Sequence, residues 1–184
     1  MRHEVHSPTC KVPMIKATVI GVLVCLVLAP SFKSVAQTIE PKFQSVFILG
    51  IARKVDWTSG SGNFRIGVVG KNSALIKELT NLATSKKLND RTIKVEKLSS
   101  ISEVGSQDII FLAKSNSGQL KTLLSKVGTN TLVMTAHSKA ISDGSHLNFL
   151  MKGNKVCFEL NKTALEKTNL KFSEALVKLA LAVK

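Results

Sequence analysis

Aromatic and acidic residues are scarce in this chain. It has no tyrosine, one tryptophan, and 12 Asp and Glu against 26 Lys and Arg among its 184 residues. Single-stranded nucleic acid is held by bases stacked on aromatic side chains, and no stacking motif is recognisable here, so the positive charge does not read as a nucleic-acid interface. Cysteine is rarer still: Cys10 and Cys25 precede an expected cleavage site, which leaves Cys157 alone and rules out an internal disulfide in the processed chain. No apolar run reaches the roughly 20 residues a membrane-spanning helix needs. There is no internal repeat and no low-complexity segment.

The apolar run that does occur, residues 17–29, reads as the core of a secretory leader. Lys11 and Lys16 precede it, only Thr18 interrupts it, Pro30 breaks it, and Ser34-Val35-Ala36 offers small residues where a signal peptidase inspects them. Cleavage leaves Gln37 first. Cys25 lies inside the run behind bulky Val24, so it is not a lipoprotein cysteine. Met14-Ile15-Lys16 would itself make an ordinary signal start, and the choice between Met1 and Met14 stays open. Residues 37–184 match the size of one compact domain. Losing Arg2, Lys11, Lys16, Lys33 and Glu4 with the leader reduces the net charge from +14 to about +11. Its basic residues are dispersed, as on a solvated surface; the other readings are attraction to anionic headgroups, to envelope polyanions or to an acidic protein face.

Strand-like and helix-like runs then alternate, which predicts an α/β fold of three layers, a mainly parallel sheet with helices on both faces and a C-terminal antiparallel hairpin. A first helix is expected over 40–56, with Phe43, Val46, Phe47, Gly50, Ile51 and Val55 as its buried stripe. Strands are expected at 64–69, 91–98, 108–113 and 131–136. Helices are expected at 73–86 and 115–127. Segments 147–152 and 155–160, joined by Gly153-Asn154, carry the strongest hairpin signal. Asn161 is the expected cap of a short helix reaching 167, and Phe172, Leu176, Leu179, Ala180 and Val183 mark one face of a C-terminal helix. Cys157 is expected as a packed thiol on the second covered face of its strand.

No set of residues assembles a recognisable catalytic centre. Gly67-Val68-Val69-Gly70-Lys71-Asn72-Ser73 has neither the spacing nor the Ser/Thr after Lys of a phosphate loop. His137, Asp143, His146 and Cys157 match no metal-ligand spacing, so no metal and no cofactor are expected. Ser138, His137 and Asp143 could be drawn as a hydrolase triad, but all three lie in one loop and no nucleophile elbow accompanies them. The remaining candidates are polar residues where parallel strands end: Lys71, Asn72 and Ser73 after one, Ser115, Asn116 and Ser117 after another, His137 and Ser138 after a third. Such ends suit a small anion or a polar partner loop, and the same residues serve equally as helix caps and turns. Trp57, at the end of the first helix, is either a core plug or an exposed contact anchor.

The order of several segments carries a resemblance. Val55-Asp56-Trp57 closes the opening helix, Ile66-Gly67-Val68-Val69-Gly70 follows, and then Asp108-Ile109-Ile110-Phe111-Leu112-Ala113-Lys114-Ser115. In the C-terminal third stand Asp143-Gly144, Leu147-Asn148-Phe149, Lys155-Val156-Cys157-Phe158-Glu159-Leu160-Asn161, and Leu170 and Ser173 ahead of Leu176, Leu179 and Ala180. Over about residues 41–183 the chain thereby resembles the YfiR and HmsC family of small periplasmic proteins. The resemblance implies a non-enzymatic regulator that docks on the periplasmic domain of an inner-membrane sensor, a diguanylate cyclase controlling biofilm formation or a histidine kinase, and it leaves room for a homodimer. Thr58 stands where the family has proline, and the single mature cysteine carries over no disulfide-based redox control. The alternative is a periplasmic module for a small or polymeric envelope anion, and an uncharacterised hydrolase is the third reading.

Overall fold

The structure, a computed structural model, describes residues 38–57 and 62–184. The expected leader 1–36 with its cleavage site, both candidate start residues, and loop residues 58–61 lie outside the described part.

In chain order the elements are α1 (Pro41–Ala52), β1 (Val55–Asp56), β2 (Phe64–Val69), α2 (Ser73–Ser85), β3 (Lys87–Leu88), β4 (Arg91–Leu98) and β5 (Ile109–Leu112). A 3-10 segment (Lys114–Gln119) leads into α3 (Leu120–Leu124). Then come β6 (Leu132–Thr135), β7 (Leu147–Lys152), β8 (Lys155–Leu160), α4 (Lys162–Leu165), β9 (Lys171–Phe172), α5 (Glu174–Leu179) and β10 (Ala182–Val183).

Every residue of β5 and of β6 is buried, as strands covered on both faces require. Five strands run parallel in the order β4, β2, β5, β6, β7. Antiparallel β3 flanks β4, antiparallel β8 flanks β7, and β10 adds itself in parallel to β8, so the sheet is mixed with a parallel centre. Strand alternation divides the core. Ile66, Val68, Ile109, Phe111, Leu132 and Met134 pack with Ile48, Leu49, Ile51 and Ala52 of α1 and Leu75 and Leu79 of α2. Val69, Ile110, Leu112 and Val133 turn to the other face and meet Leu120 and Leu123 of α3 with Ala140. The three-layer α/β reading therefore holds, and the hairpin pairs Leu147 with Leu160 through Lys152 with Lys155 around Gly153 at φ 57.

Four expectations are corrected. Helix α1 stops at Ala52 and is rotated from the expected stripe: Ile51 and Val55 are buried as expected, but Gln44, Ser45, Ile48, Leu49 and Ala52 are buried with them, while Phe43, Val46 and Gly50 are exposed and Phe47 is half-buried. Its sequence is apolar almost all round, so periodicity could not choose a side. Burying Ser45 is tolerated because its Oγ donates to the Lys42 carbonyl at 2.8 Å. The expected helix 115–127 shrinks to α3 behind a 3-10 segment, consistent with Ser115, Asn116, Ser117 and Gly118 being poor helix formers.

The C-terminal helix also ends early, at Leu179. Beyond it the Leu181 N–H donates to Phe158 O at 2.8 Å and the Lys184 N–H to Leu160 O at 2.9 Å, because the free edge of β8 offers backbone acceptors that a helix would leave unused. Cys157, finally, is only half-buried on its side of β8. Strands β1 and β9, which had no sequence signal, form a separate two-stranded pair, Val55 with Phe172 and Asp56 with Lys171.

Candidate functional surface at the strand ends

A parallel sheet in which the second strand lies outside the first has one place where successive crossovers leave in opposite directions, and ligand crevices form there. In this chain it falls between β2 and β5. The connection after β2 enters α2 on one face, and the connection after β5 enters the 3-10 segment and α3 on the other. The topology thus brings together Lys71, Asn72 and Ser73 with Ser115 and Asn116.

The Lys71 backbone, Ser115 and Asn116 are linked to one another, and Asn72 and Asn116 also bond within their own segments. Asn72 Oδ1 caps α2 by accepting from the Leu75 N–H at 3.2 Å. The Lys71 N–H reaches Ser115 Oγ at 3.4 Å, the Ser115 hydroxyl donates to Asn116 Oδ1 at 2.7 Å, and Asn116 Nδ2 donates to Gln119 Oε1 at 3.2 Å. Gly70 permits this closure. It has φ 92, and a Cβ there would collide with Asn116 Oδ1 and stand 2.8 Å from its Cγ. What the crevice leaves to solvent is the Lys71 ammonium and the Ser73 and Ser115 side chains. Gly70→Ala combines a left-handed backbone with that collision and should cost about 2 kcal/mol, measured as a lower thermal midpoint; an unchanged midpoint would show that the two loops are not in contact.

His137 and Ser138 follow β6, one strand further along, and no hydrogen bond joins them to the first set among the described residues. The His137 N–H donates to Asn148 Oδ1 at 3.1 Å, and its Nδ1 lies 2.9 Å from the Ser138 carbonyl, which fixes the Nδ1–H tautomer. Its Nε2 is enclosed and has no partner. Asp143, His146 and Cys157 do not gather round it: among the described residues no three His, Cys, Asp or Glu side chains are placed to hold a metal ion.

Behind this loop lies a polar cluster that sequence reasoning missed. Thr135 Oγ1 is 2.9 Å from Asn148 Oδ1 and 3.0 Å from Ser145 Oγ, and the Ser145 hydroxyl donates to Leu147 O at 2.9 Å. All three side chains are buried, so each bond is needed to offset desolvation, and together they hold the ends of the 137–146 loop at the sheet. The one signal for it was an asparagine inside the apolar strand Leu147-Asn148-Phe149. His146 is buried beside it, and its Nδ1 accepts from the Val133 N–H at 3.1 Å. Burial pushes its pKa down from 6.5 to about 4, against a smaller upward effect of the Thr131 backbone.

Trp57 is half-buried. Its Nε1–H donates to Ala52 O at 2.8 Å, closing the last turn of α1, and its ring meets Phe64 edge-on at 4.9 Å. That is the environment of a packing residue.

Residues 41–181, all of the fold up to β10, match the YfiR/HmsC-like family. The chain belongs to that family. Known YfiR-like proteins are periplasmic regulators of diguanylate cyclases and not enzymes. No curated protein matches the sequence significantly. Among solved structures, a conserved domain protein from Vibrio cholerae O1 biovar El Tor superposes with a TM-score of 0.59 at 15% identity over 78% of this chain and 60% of that one. The ABC domain from Streptococcus pneumonia, solved in complex with L-Trp, superposes with a TM-score of 0.53 at 10% identity over 79% of this chain and 60% of that one. The YfiR-like chain spans about 60% of the length of each of these structures, and at such identities the likeness is one of fold. Among the described residues no helix of this YfiR-like chain is long and apolar enough to cross a membrane.

Proposed function

We propose that this protein is exported by a leader removed after Ala36, folds as a single domain over residues 37–184, and regulates an inner-membrane sensor by docking on its periplasmic domain. The observation that carries the reading is the family match over residues 41–181. A diguanylate cyclase is the sensor class the family implies, and a histidine kinase is the other candidate. The protein acts by occupancy: bound, it holds the sensor in one of two states, and the regulation is as large as its difference in affinity for the two.

Two features of the chain support docking over chemistry. The crevice at the strand ends is filled by its own side chains, which suits a surface that meets another protein better than one that encloses a substrate. The polar groups left facing outward there, Lys71, Ser73 and Ser115, with exposed Ser138 alongside, are the contact residues in this reading, and His137, whose Nε2 is enclosed, holds the loop that carries Ser138. Trp57 would contribute through the part of its ring that packing leaves uncovered. The excess of lysine favours a partner with an acidic rim, whose attraction acts over about 8 Å at physiological salt.

Crosslinking in intact cells, followed by purification of this protein, tests the reading. One inner-membrane sensor should be recovered, in lower yield from a Lys71→Glu, Ser115→Asp variant. Recovery of no protein partner, together with salt-sensitive binding to anionic lipid or glycan, would sink it.

A further inference from the structure

Strand β4 bounds one side of the parallel centre, and most of its outer edge has no neighbour. The short β3 covers only Arg91 and Thr92, paired with Leu88 and Lys87, so among the described residues no strand lies on the outer side of 93–98. The peptide groups of successive strand residues point to opposite sides. The Gly70 N–H donates to Leu98 O at 2.9 Å, which sets Leu98, and with it Glu96 and Lys94, toward β2. The N–H and C=O groups of Val95 and Lys97 therefore face outward, on a half-buried and an exposed residue respectively. An unpaired edge of this kind is a template for one more strand.

A groove runs beside the edge. Thr80, Ala83 and Thr84 of α2 form one wall, Ile93, Lys94 and Val95 the other, and the space between is about 290 Å³. Ile93 and Val95 turn toward the α2 side, where Ala83 also packs, so alternate side chains of an added strand would point into this groove. Its size suits short apolar groups. The rim is basic: Lys86, Lys87, Lys94 and Lys97 are exposed, and Asp90 is the single exposed acid among residues 86–98. Lys94 lies 3.8 Å from Glu96, a carboxylate that Arg65 already holds at 2.9 Å. Lysines on an edge repel a strand of like charge and admit an acidic one. A second copy of β4 would set Lys94 and Lys97 against lysine in either direction, which disfavours pairing of the edge with itself.

We infer that β4 accepts an extended acidic segment of another protein as an added strand, hydrogen-bonded to the backbone of Val95 and Lys97. Small apolar side chains of that segment enter the groove beside α2, and its carboxylates lie against Lys94 and Lys97. Backbone bonds supply the affinity, and the groove and lysines select the sequence. The surface shares no residue with the crevice at the strand ends, so the inference stands apart from docking on a sensor there.

Amide hydrogen exchange followed by two-dimensional NMR tests it, on protein purified from cells expressing the full gene. The probe is a capped peptide of alternating Glu and Val about seven residues long, which spans the free edge at about 3.3 Å per residue. With about 1 mM peptide at low salt, exchange at the Val95 and Lys97 amides should slow at least about tenfold. Alternate N–H groups of the peptide face β4, so N-methylation of one alternate set should abolish the effect while methylation of the other leaves most of it. Lys97→Glu changes an exposed side chain, so it should keep the fold and weaken binding about fivefold. No slowing at the two amides, an equal effect of the two methylations, or equal binding of a peptide of alternating Lys and Val would each overturn the inference. Slowing confined to Lys71 and Ser115 would overturn it as well, by moving the acidic segment to the strand ends.

Discussion

Asp108→Ala should be among the most damaging single substitutions in this domain, lowering the unfolding free energy by about 3 to 5 kcal/mol. The carboxylate stands at the start of β5 and joins three strands of the parallel centre. Both its oxygens receive Arg91 of β4 at 2.9 Å, and Oδ2 also accepts the Arg65 N–H of β2 at 2.8 Å. Arg91 in turn donates to the carbonyls of Gly62 and Asn63 and lies over the Phe64 ring at 5.1 Å. The two side chains are only 14% and 13% exposed, so removing the carboxylate leaves a guanidinium and a backbone N–H without their acceptor in a poorly solvated place. Urea denaturation measures the loss. The double variant Asp108→Leu, Arg91→Met should lose less than Asp108→Ala alone, because no charge is then stranded. A single-variant loss below about 1 kcal/mol would mean that water reaches the pair freely and that its role in joining the strands is wrong.

Acid should weaken the fold in a window set by His146. Its pKa falls from 6.5 in the unfolded chain to about 4 in the fold, so between those values the unfolded state binds the extra proton. The stability associated with neutral His146 is therefore complete above pH 6.5 and drains away as the pH falls through about 4, a total of about 3 kcal/mol. Protonation also removes the acceptor of the Val133 N–H, which ties the start of β6 to the residue before β7. Glu96 acts lower on the scale. The hydrogen bond from Arg65, helped by the Gln107 amide and opposed by burial, holds its carboxyl below the ordinary 4.5, so its contribution is lost only under that pH. His146→Gln, whose amide oxygen can accept from Val133, should flatten the curve of unfolding free energy between pH 6.5 and 4.5 while leaving the steeper fall below it. A variant curve parallel to that of the natural chain would remove His146 as the cause.

Local chemistry made much of this fold legible in advance. The strict alternation of residues 91–98 is β4 to the residue, the strand expected at 108–113 is the doubly covered β5 at 109–112, and Gly153-Asn154 turns the hairpin where it was expected. Asn72 and Asn161 cap the helices they precede, with Asn161 Oδ1 accepting from the Ala164 N–H at 3.0 Å. The polar residues at the strand ends were legible as a set because they follow parallel strands. Their closure over Gly70 was not, since it depends on Asn116, which sits far along the chain and reaches Gly70 only once β2 and β5 are neighbours.

What the amino-acid order determined by itself is therefore the inventory: which segments extend, which coil, where they turn, and, through the succession of those segments, membership of a regulatory family. Each of those properties arises between residues a few positions apart. Tertiary structure alone decided which face α1 turns inward, because a helix apolar on almost every side gives up its preference to whichever face fits the sheet. It decided as well that residues 182–183 leave the helix for the edge of β8, that β1 finds β9, and that Thr135, Ser145 and Asn148 share a buried bond network. Each of these turns on a partner distant in the chain, and the free energy of meeting that partner outweighs the local preference only after the sheet has formed.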